Sequence, residues 1–112
     1  CIDAAALIEA RGVSCGVLHI PTVKPIDAEM ILSRAGQTRA VVSVEEHTVI
    51  GGLGSAVAEI LAEGGLRGER RFARMGIPDV FADRYGSQAS LLERFGLTAE
   101  RIANKALTLL TR

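Results

Sequence analysis

The chain has 112 residues, 48% of them hydrophobic and 23% charged, with thirteen basic and thirteen acidic side chains. One core of ordinary domain size fits that length, and the even spread of charge over an apolar composition excludes a disordered tail. A formal net charge of zero and 4% aromatics without tryptophan argue against a nucleic-acid surface, and no apolar run reaches the roughly 20 residues of a membrane span.

Two cysteines, Cys1 and Cys15, do not make a disulfide scaffold. No basic segment followed by an apolar stretch marks secretion, so the cytoplasm is the expected compartment. Cys1 opens directly into a helical pattern in which Cys1, Ala4, Ala5 and Ile8 share a face and Gly12 follows as the stop. A helix with nothing before it leads us to expect a fragment whose preceding strand is missing.

Residues 13–20 are rich in β-formers and read as a strand buried on both faces. The proline-bounded stretch 21–25 reads as a connector, since neither proline fits a central strand. Asp27 is a good N-cap for a helix burying Ala28, Ile31, Leu32 and Ala35 and ending at Gly36. Residues 40–45 form the next strand. A glycine-rich turn at 51–55 then feeds a helix with Leu53, Val57, Ile60 and Leu61 on one face, ended by Gly64 and Gly65.

Residues 71–75 read as a short third strand, and 79–86 as loop. Leu91, Leu92 and Phe95 mark a short helix closed by Gly96, and Thr98 caps a last helix with Ile102, Ala106, Leu107 and Leu110 inward. Such alternation predicts a single α/β domain over residues 1–112, a three-layer α/β/α unit with a mostly parallel sheet lacking its first strand.

The densest functional-looking stretch runs from Glu45 through Glu46 and His47 to Gly51, Gly52, Gly54 and Ser55. It lies between the end of a buried strand and the start of a helix, where open α/β sheets bind ligands and helix N–H groups attract anions. As a dinucleotide fingerprint it fails, because Val57 stands where the third glycine belongs. It lacks the P-loop lysine, and Leu53 and Val57 flank Ser55 where a nucleophile elbow needs glycines. The plain use of these glycines is to pack the helix closely on the sheet.

Glu46 and His47 offer acid/base or metal-ligand chemistry, but the only other histidine is His19, in a different segment, and no zinc spacing exists. We therefore expect His47 at a surface or interface, and assign no catalytic, cofactor or metal residue. The charged run 67–71 reads as a solvated face. Two aromatics, Phe81 and Tyr85, fall in the 78–85 loop and suggest a protein partner.

Taken in order, PTVKPID at 21–27, VVSVEEH at 41–47, GGLGSAVAE at 51–59 and GIPD at 76–79 resemble the C-terminal domain of transketolases. Tyr85-Gly86, Leu91-Leu92 and the FGLT of 95–98 continue the likeness, which is greatest to the separate C-terminal subunit of split transketolases. Deoxyxylulose-phosphate synthase and the β subunits of 2-oxoacid dehydrogenases have similar domains. The resemblance implies a five-stranded, mostly parallel sheet and an enzyme moving two-carbon ketol units between sugar phosphates.

It also implies that thiamine diphosphate and a divalent metal sit on the other two domains, none of whose binding positions has a match here. The expected partners are an N-terminal thiamine-diphosphate-binding subunit and a second copy in a homodimer, with no nucleic acid and no membrane. The rival readings are a stand-alone anion-binding module using the turn from Gly51 to Ser55, and an independent enzyme using Glu46 and His47.

Overall fold

The computed structural model describes residues 1–81 and 85–111, and at its centre lie two parallel strands. These are β1 (Ala40–Thr48) and β2 (Arg71–Ile77), in register from Ala40 against Arg71 to Val44 against Met75, then Thr48 against Ile77 after an irregularity. Both strands run further than the sequence pattern predicts, β1 by three residues and β2 by two.

The described residues also form five helices: α1 (Ile2–Glu9), α2 (Ala28–Ala35), α3 (Leu53–Glu63), α4 (Gln88–Arg94) and α5 (Ala99–Thr111). Their ends follow local chemistry. The Asp27 side chain accepts the Met30 N–H at 3.0 Å and so caps α2, as its position predicts. Ser87 does the same for α4 through the Ser90 N–H at 3.2 Å.

Alternation along β1 builds three layers. Val44 and its neighbour Met75 pack against Ala4, Ile8, Ile102 and Ala103, which places α1 and α5 on one face. Ser43, one residue away, meets Gly54 of α3 on the opposite face, and α2 packs on α3. In α5 Ile102 is buried as the sequence pattern predicts, Ala103 and Leu109 are buried beside it, and the other predicted positions, Ala106, Leu107 and Leu110, are half-buried.

Residues 13–20 form no strand, which corrects the sequence reading. Val13 and Cys15 pack against the α1–α5 core, but Val17 and Leu18 are exposed. A strand persists only while its backbone groups find a ladder, and these residues have none. The edge of β1 away from β2 likewise carries no strand, so the described residues pair two strands and not five. Of the 78–85 loop, residues 82–84 lie outside the described part.

Candidate functional site

Glu45, Glu46 and His47 all come from the end of β1, where alternation sets Glu45 and His47 on the α3 face and Glu46 on the other. Glu45 points under the start of α3 and is buried, while Glu46 and His47 are exposed. Glu46 accepts a hydrogen bond from Gln88 Nε2 at 2.8 Å, tying β1 to α4.

The buried Glu45 carboxylate is spent on the helix. Its Oε2 accepts the Leu53 N–H at 2.7 Å and its Oε1 the Gly54 N–H at 3.0 Å. An anion at that spot satisfies two orphan N–H donors and sits at the positive end of the helix dipole. Glycines make the room. A Cβ on Gly52 would overlap Glu45 Oε2, and one on Gly76 would stand 3.0 Å from Glu45 Cγ.

Ser55 is equally occupied. Its hydroxyl accepts from the Gly51 N–H at 3.0 Å and from Arg74 Nη1 at 3.0 Å, and donates to the Val49 carbonyl at 3.2 Å. One donor and two lone pairs are all a serine hydroxyl has. Arg74 Nη1 also reaches Val49 O at 2.8 Å, so the turn is closed by side chains of β2 and α3.

The structure thus fills from within the cradle that the sequence offers to an outside anion. The donors of Gly51, Leu53, Gly54 and Ser55 already have partners. A phosphate at this turn would have to displace a buried carboxylate of its own sign. Sequence spacing shows Glu45 eight residues before Leu53 but not that the chain folds back onto it.

His47 Nδ1 lies 2.8 Å from Thr48 O and 3.9 Å from Glu45 Oε2. A carbonyl only accepts, so this contact puts the proton on Nδ1 and leaves Nε2 as the acceptor of the neutral ring. The imidazole side chain is 62% exposed and faces solvent.

Among the described residues no group of three or more His, Cys, Asp or Glu could hold a metal ion. With the one buried carboxylate at the turn committed to α3, the donors present do not fit a metal-bound diphosphate.

The arginines that the sequence suggests are solvated prove structural. Arg70 Nε and Nη2 donate to Ala35 O and Gly36 O at 2.8 Å each, closing the C-terminus of α2. Arg71 Nη1 donates to Leu109 O at 2.6 Å in the last turn of α5. A strand-initial arginine pair beside two helix C-termini was the available signal.

With this geometry in place, comparison with known proteins is informative. The family described as "Transketolase, C-terminal domain" matches residues 1–102. The chain belongs to the transketolase C-terminal domain family. A 1-deoxy-D-xylulose-5-phosphate synthase of Symbiobacterium thermophilum is 46% identical over 112 residues, covering 100% of this chain and 17% of that protein.

A putative transketolase C-terminal section of Methanocaldococcus jannaschii is 40% identical over 106 residues, 95% of this chain and 32% of its own length. A solved structure titled "Split gene transketolase, inactive beta4 tetramer" is 43% identical, with a TM-score of 0.83 over 96% of this chain and 35% of that one. This transketolase C-terminal domain therefore spans about a third or less of these relatives.

Proposed function

We propose that this chain is one domain of a longer thiamine-diphosphate-dependent transferase, and serves as the module that assembles the domains carrying the cofactor. The observation that carries this reading is the filled α3 terminus. The place where an α/β sheet ordinarily takes a ligand is closed by Glu45, while Glu46 and His47 face outward. The open edge of β1 and the greater length of the relatives support a domain that works within a larger body.

The partners under this reading are an N-terminal thiamine-diphosphate-binding subunit or domains, and a second copy of the same chain, all in the cytoplasm. The structural relative whose title names a β4 tetramer supports self-association. Under this reading Glu46, His47, Gly51 and Gly52 belong to the interface, with Gly54 and Ser55 holding the turn behind them. The parent reaction is transfer of a two-carbon ketol unit between sugar phosphates. A second reading, synthesis of 1-deoxy-D-xylulose 5-phosphate, is favoured by the 46% identity to a protein of that name.

Reconstitution with the cofactor-binding domains tests the module. Ketol transfer should require both parts, and His47→Ala should weaken assembly or lower turnover modestly. Turnover by the isolated chain would overturn the reading. So would a loss beyond about 1000-fold from His47→Ala with assembly intact, the scale of a general acid/base.

A further inference from the structure

We draw no further inference here: the strongest candidate, the groove of about 300 Å³ over Val41 and Phe72 between α3 and the 66–70 loop, is an apolar face with nothing in the structure to show what covers it, since Arg70 at its rim is already spent on the carbonyls of Ala35 and Gly36.

Discussion

The carboxylate of Glu45 holds the backbone N–H of Leu53 at 2.7 Å, so the anion that the start of α3 attracts is supplied by the chain itself. Only eight residues separate the two, yet they bridge a strand end and a helix start. Glu45→Gln keeps the shape but loses the charge on both bonds, and places an amide nitrogen where an acceptor is needed. We expect a stability loss of roughly 1–3 kcal/mol, with Glu45→Ala at or above the upper end. Urea unfolding of the three chains side by side measures it, and an unchanged midpoint would show that the bonds count for little.

Ser43 gives the opposite expectation. Its hydroxyl is buried under Gly54 and has no hydrogen-bond partner among the described residues. A buried hydroxyl without a partner costs free energy, and removing it leaves a hole of only one atom. Ser43→Ala should therefore be neutral or more stable by up to about 1 kcal/mol. A thermal melt that drops by several degrees would reveal a bond that this geometry lacks.

Legibility in the sequence was uneven for physical reasons. Helix periodicity and caps are local, so Asp27, Gly36 and the inward face of α3 could be placed from spacing alone. Residues 13–20 misled because strand composition states a preference that only a ladder can realise. Glu45 beside Glu46 and His47 reads as a reactive triplet, and nothing in the order of residues says that the start of α3 folds back over Glu45 and leaves the next two exposed. Arg70 and Arg71 look like surface charge for the same reason: their carbonyl partners lie more than thirty residues away in the chain.

The two thiols should react at different rates. Burial, followed by the nearby charge of Glu9, pushes the Cys15 thiol above its ordinary value, while Cys1 is exposed. The thiolate is the reactive form, so near pH 8 iodoacetamide should modify Cys1 well before Cys15. The gap should narrow as pH rises and Cys15 ionises. Mass spectrometry of peptides from a timed reaction gives both rates. Equal rates at pH 8 would contradict the packing of Cys15 on the α1–α5 core.

Arg70 and Arg71 are neighbours that reach in opposite directions, one to the end of α2 and the other to the end of α5. The start of β2 thereby works as a rivet driven through all three layers. Fraying at either helix terminus strips a charged donor of its acceptor and loosens the strand entry that the other helix also uses. The two layers should then open as one event, with amide exchange at the C-terminal turns of α2 and α5 sharing a single opening free energy although the helices stand on opposite faces of the sheet.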